Sequence, residues 1–153
     1  IGSEPVLEKR DIIEDTKNTV DYLQTRVSQQ VVFTFKAPEH PIYVDINPAL
    51  HSWTIENLVK NAIDAMKGKG SLNIIISELE DIVKISITDS GKGIPKNQFT
   101  KVFEPGFTTK KRGWGLGLSL TKRIVQEYHK GKIKVAHSEI GKGTTMQISY
   151  KTA

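Results

Sequence analysis

Ser71–Gly93, SLNIIISELEDIVKISITDSGKG, is the stretch on which the fold reading turns. Ser71 to Glu78 and Ile82 to Thr88 alternate apolar and polar residues, as half-buried strands do, and Glu80-Asp81 between them reads as a hairpin turn. The two strands therefore form an antiparallel pair. The second runs into Asp89-Ser90-Gly91-Lys92-Gly93-Ile94, where a carboxylate at a strand end precedes glycines that let backbone approach a ligand closely. Such a carboxylate can accept a hydrogen bond from an exocyclic amine such as that of adenine, with Ile94 over the ring's flat face. Asp-Ser-Gly is also ordinary turn chemistry, and the later oxygen ligands of an EF-hand are missing.

Upstream, Gly68-Lys69-Gly70 ends a long helical pattern that begins at Pro48, a residue suited to a first helical turn, and runs to about Met66. Val31 to Phe35 and Ile42 to Ile46, separated by Pro38 and Pro41, read as two strands joined by a turn. Ile12, Ile13, Val20, Leu23 and Val27 place a first helix within residues 11–29. Downstream, Asp89 to Gly115 is a long functional loop with a weak helical signal near Gln98. Leu116 to Tyr128 restores helical spacing, and Lys132 to His137 and Thr144 to Tyr150 are strands around Gly141-Lys142-Gly143. The simplest architecture is an α/β two-layer sandwich, a mixed and mostly antiparallel sheet covered on one face by helices.

At 153 residues the chain fits one domain. Lys plus Arg number 22 against 17 Asp plus Glu, so the formal charge of +5 suits an anionic partner without identifying it. With no cysteine, disulfides, thiolate metal sites and thiol redox chemistry are excluded. No apolar run approaches the roughly 18 residues of a membrane span. The chain starts at Ile1, a start compatible with an upstream segment that could include a membrane anchor.

On the helix after Pro48, Asn57 and Asn61 are four apart and share a face. Two amide oxygens so placed can serve Mg²⁺, which keeps several waters and takes only one or two protein oxygens plus substrate phosphates. Gly113-Trp114-Gly115-Leu116-Gly117-Leu118 runs directly into a helix, so unpaired N–H groups and the positive helix end would face a bound anion. Lys110, Lys111 and Arg112 add charge immediately before it. Gly141-Lys142-Gly143-Thr144 lacks the ending of a P-loop, and the run at 113 lacks the spacing of a dinucleotide fold.

Taken in order, these segments resemble a known family. Asn57-Leu58-Val59-Lys60-Asn61-Ala62, Asp89 to Ile94, Phe103-Glu104-Pro105-Gly106-Phe107-Thr108-Thr109-Lys110, Gly113 to Leu118, and Gly141 to Thr145 resemble the N, G1, F, G2 and G3 boxes of histidine-kinase catalytic domains. The resemblance covers the chain from about Val31 to its end and is close to two-component sensor kinases at 103–118. It implies the Bergerat-type fold with a long ATP lid, shared with type II topoisomerases, mismatch-repair ATPases and heat-shock chaperones.

The resemblance also implies roles. Asn61 holds Mg²⁺ with Asn57 assisting, and Asp89 binds the adenine amino group, with Gly91, Gly93 and Thr144 lining that end. Phe103 and Phe107 anchor the lid, and Gly113, Gly115, Leu116 and Gly117 cradle the phosphates. Ala65, Ile94, Thr108, Thr109, Lys110, Arg112, Trp114 and Leu118 complete the nucleotide-binding set, and the catalytic set is Asn57, Asn61 and Lys110. ATP-hydrolysing relatives carry a glutamate four residues before the metal-binding Asn; here that position is Asn57, and Glu56 points about 100° away around the helix. That favours phosphoryl transfer over attack by water. Asp64 stands where many sensor kinases have a basic residue, leaving the phosphates to Lys110 or Arg112, and Gly106 replaces a common second phenylalanine.

None of His40, His51, His129 and His137 has the context of a phosphoacceptor, and all four read as structural or surface residues. Residues 1–10 read as a linker from a missing dimerisation and phosphoacceptor domain, and residues 11–153 as the catalytic ATP-binding domain. The expected cofactors are ATP and Mg²⁺. The expected partners are the histidine-bearing dimerisation domain of the same full-length kinase and a response regulator, with no nucleic acid. A monomeric fragment, a homodimeric full-length kinase and a cytoplasmic location, with an inner-membrane anchor open, complete the expectation. An anti-sigma-type protein-serine kinase and a degenerate nucleotide-binding or docking module on the same fold are the alternatives.

Overall fold

The computed structural model describes residues 5–107 and 117–153. Helix α1, Ile12–Gln24, begins where the Asp11 carboxylate accepts the Ile13 N–H at 3.1 Å, and it buries Ile12, Val20 and Leu23. Helix α2, Pro48–Ala65, is capped by Asn47, whose side-chain oxygen accepts the Leu50 N–H at 3.0 Å. It ends as Lys67 and Gly68 take positive φ of 56° and 78°. The two helices are tied by Thr16 Oγ1 to His51 Nε2 at 2.8 Å and by Thr19 to Ser52 at 2.9 Å.

Seven strands follow in chain order: β1 Glu8–Asp11, β2 Val31–Lys36, β3 Tyr43–Ile46, β4 Gly70–Leu79, β5 Ile82–Asp89, β6 Lys132–Glu139 and β7 Gly143–Lys151. Five form the main sheet in the order β2-β4-β5-β7-β6, antiparallel except for the parallel pair β2–β4. The β4–β5 hairpin closes between Leu79 and Ile82, with Glu80 at φ 57° as a tight hairpin turn requires. Leu72, Ile74, Ile85, Ile87, Ile148 and Tyr150 point from this sheet into the core against Ile55, Leu58 and Val59 of α2. The expected mixed sheet with helices on one face is the observed fold.

Two details differ from the sequence reading. Val31–Phe35 and Ile42–Ile46 do not pair with each other: β2 joins the main sheet beside β4, whereas β3 pairs antiparallel with β1. Pro38 and Pro41 between them lack the N–H groups that a hairpin ladder would use, and burial of Val44 and Ile46 is completed by β1 rather than β2. Residues 8–10, expected in a linker, are therefore strand. The helix expected over 116–128 is α3, Gly117–Arg123, continued by a π-helical turn at Ile124–Tyr128. That wider turn brings His129 against the start of α2, where its Nε2 accepts the Asn47 N–H at 3.1 Å. Among the described residues no helix is long and apolar enough to cross a membrane.

Candidate functional site

Asn57, Asn61 and Ala65 follow one another at four-residue intervals along α2, so they form a floor about 12 Å long. At the Ala65 end, the turn after β5 is folded onto the helix. Lys92 donates its N–H to the Ala65 carbonyl at 3.1 Å, and Gly91 lies so close that a Cβ there would sit 2.6 Å from that carbonyl. Gly143, at φ 126°, passes over Asp89 with no room for a side chain.

Asp89 itself is 7% exposed. Its Oδ1 accepts the N–H of Gly91 at 2.8 Å and of Thr144 at 3.3 Å, and Oδ2 takes no part in these two bonds. Burial pushes this carboxyl above its ordinary range, and the two backbone hydrogen bonds pull it back. Ser138 fastens the surrounding loops: its Oγ accepts the Ile94 N–H at 2.7 Å, donates to the Gly143 carbonyl at 3.0 Å, and meets Thr144 Oγ1 at 2.7 Å. Asp89, Gly91, Thr144, Ser138 and Ile94 are thus linked in one network, and Gly93 packs against the Glu139 carbonyl beside it.

At the other end, Asn57 Nδ2 donates to Thr121 Oγ1 at 2.7 Å, and Thr121 donates to the Gly117 carbonyl at 2.7 Å. Asn57 therefore meets the first turn of α3, and with its N–H₂ used there, Oδ1 is the atom available to a ligand. Thr121, fully buried, was invisible in the sequence, because a hydroxyl bonding back one helical turn gives no sign of a partner on another helix. Thr121→Val is expected to remove both bonds at constant shape, costing about 1–3 kcal/mol. Faster amide exchange at residues 118–121 and a lower melting temperature would show it; unchanged exchange would refute the role.

Leu118, Phe107 and Ile94 lie partly buried against the core, and Phe103 is buried with Lys122 Nζ 5.8 Å from its ring centre. Thr108, Thr109, Lys110, Arg112, Gly113, Trp114, Gly115 and Leu116 lie outside the described residues. No cluster of three or more His, Cys, Asp or Glu able to hold a metal occurs among the described residues. Two amide oxygens carry no charge, so this donor set fits a hard cation that arrives with phosphates.

A buried carboxylate beneath glycines at one end of a helical floor and a glycine-led helix at the other is the arrangement of a nucleotide pocket. Residues 49–153 match the family described as histidine kinase-, DNA gyrase B-, and HSP90-like ATPase. The chain belongs to that family. Among its relatives, the sensor histidine kinase ZraS of Escherichia coli K12 is 40% identical over 121 residues, which are 79% of this chain. The chain spans only 26% of that relative's length. The catalytic domain of histidine kinase ThkA superposes with a TM-score of 0.84 at 26% identity, covering 95% of each chain. ThkA in complex with the response regulator protein TrrA has the same fold, with a TM-score of 0.83 at 24% identity over 96% of this chain and 42% of that one. The ATPase family fold thus accounts for both ends of the pocket.

Proposed function

We propose that this chain is the catalytic domain of a two-component sensor histidine kinase, binding Mg-ATP and delivering its γ-phosphate to a histidine on a separate dimerisation domain. The observation that carries the reading is Asp89, a buried carboxylate whose Oδ1 is held by the Gly91 and Thr144 N–H groups while Oδ2 takes no part in those bonds. Asp89 then accepts from the adenine amino group, while Gly91, Gly93, Ile94 and Thr144 enclose the ring. Asn61 and Asn57 hold Mg²⁺, which supplies charge neutralisation at the phosphates. The start of α3 faces the phosphates with its N–H groups, and Lys110, Arg112 and the glycines at 113–117 complete that end.

Transfer rather than hydrolysis is supported by the absence of a carboxylate at position 57. Glu56 is paired with Lys60 at 2.8 Å on the helix surface, away from the role of a water-activating base. Phosphoryl transfer needs chiefly positioning and electrostatic stabilisation, both of which this pocket supplies. A response regulator is the downstream partner, and ATP supply places the domain in the cytoplasm; the residues ahead of β1 lead from the dimerisation domain.

Titrating a fluorescent ATP analogue with and without Mg²⁺ tests the pocket. Asn61→Ala is expected to remove most of the Mg²⁺-dependent gain, weakening binding about tenfold with the metal and little without it. An equal loss in both conditions would sink the metal assignment. Mixing the domain with a histidine-bearing helical domain and assaying acid-labile phosphate separates the kinase from a merely nucleotide-holding module.

A further inference from the structure

The face of the main sheet turned away from the helices is segregated by charge. Outward positions are 32, 34 and 36 on β2, the odd residues 71–79 on β4, and 82, 84, 86 and 88 on β5. They continue with the odd residues 145–151 on β7 and with 132 and 134 on β6. None of these is Asp or Glu; beyond the β6 bulge Glu139, opposite Gly143, also lies outward and is paired with Lys142 at 3.3 Å. Lys84 and Lys132 flank Ser149 from opposite neighbouring strands, Lys134 lies beside Gln147, and Lys151 follows on β7. With Lys130 they surround a shallow depression of about 480 Å³. All five are exposed, and none forms an ion pair among the described residues. Gly131 keeps the floor open, because a Cβ there would press on the Ser149 carbonyl and the Tyr150 ring.

We propose that this face docks an acidic amphipathic helix of a partner protein, seated over β7 between Lys84 and the Lys132–Lys134 edge. Two strand spacings separate Lys84 from Lys132, about 10 Å, which is the width of a helix. Lys132 and Lys134 are about 7 Å apart along their strand, near the separation of carboxylates at i and i+4 on a helix. Ile75 and Leu79, 43% and 71% exposed on the adjoining part of the face, offer apolar contact to the helix's other side. A concave patch suits inserted side chains better than a flat bilayer, and the absence of aromatic residues from the outward positions removes the stacking platform of a single-strand nucleic-acid site.

The test uses a labelled helical peptide with glutamate pairs at i, i+4 on both flanks of its sheet-facing side and leucines along the flank nearest β4, titrated into this domain. Amide shifts should concentrate at residues 132–134 and 147–151. A K84E/K132E/K134E variant should bind the peptide about tenfold more weakly, and raising salt from about 50 to about 300 mM should weaken wild-type binding. The variant should keep its circular dichroism and its affinity for the fluorescent ATP analogue, since these lysines lie outside the nucleotide pocket. Peptide binding that the charge reversals do not alter would overturn the proposal. So would stronger charge-dependent binding to phosphatidylglycerol vesicles or to an oligonucleotide than to the peptide.

Discussion

Asp89→Asn is expected to weaken binding of the fluorescent ATP analogue by about 100-fold, corresponding to roughly 3 kcal/mol for a charged hydrogen bond replaced by a mismatch. The substitution is isosteric, so the cause is chemical. The Gly91 and Thr144 N–H groups both point at Oδ1 and need an acceptor there, which fixes the amide oxygen of Asn in that place and turns its NH₂ into the pocket. A donor then meets the adenine amino donor. Stability should move the other way. Burial raises the carboxyl's pKa in the folded state, so this group favours folding most below its unfolded pKa, and that contribution is lost as pH rises through the folded value. At neutral pH the ionised side chain costs free energy, and Asn removes that cost. The variant should melt at the wild-type temperature or higher while losing nucleotide. Affinity within about threefold of wild type would reject Asp89 as the adenine contact, because a preserved fold removes the alternative explanation.

What the sequence made legible was local. The β4–β5 hairpin is written in an alternation that ends at a two-residue turn, and α2 is bounded by Pro48 and Gly68, so both elements emerged with nearly their observed limits. The Asp89 turn, Asn57 and Asn61 sit on those elements, which is why these residues could be grouped from order and spacing. Pairing between distant segments was not legible. β2 carries the same apolar pattern whether it pairs with β3 or runs parallel to β4, and β1, Glu-Lys-Arg-Asp, has no apolar pattern at all. The polar connections were hidden for a related reason. Ser138 and Thr121 act through hydroxyls on elements far from their partners in sequence, and single hydroxyl residues leave no periodic trace. His51 and His129 were read as structural or surface residues; both are buried, flanking Tyr150 with ring centres 6.3 and 5.8 Å from its own.

Those two histidines predict acid sensitivity. His51 is fully buried, its Nε2 shared with Thr16 and its Nδ1 unpartnered, and its pKa falls to about 4 because of burial first and the neighbouring His129 second, with Asp15 opposing. His129 is also shifted down by burial, and its Nε2 accepts a hydrogen bond from Asn47, so the folded state holds it neutral with the proton on Nδ1. Between the unfolded value near 6.5 and the folded value near 4, the unfolded chain binds more protons. Stability from His51 is therefore fully present above pH 6.5 and declines as pH falls, by about 3 kcal/mol at pH 4. Urea unfolding at pH 7 and at pH 4 measures the difference, and His51→Leu should reduce it by a similar amount whatever its own cost at pH 7. Thr16 can turn its hydroxyl to the carbonyl one turn back in α1, so the variant need not strand a polar group. An identical pH dependence in wild type and variant would remove His51 as the cause. His129 adds a consequence for the pocket. Protonating it destroys the acceptor that holds Asn47, the cap of the helix carrying Asn57 and Asn61, so nucleotide affinity should fall as pH is lowered through the range in which His129 protonates.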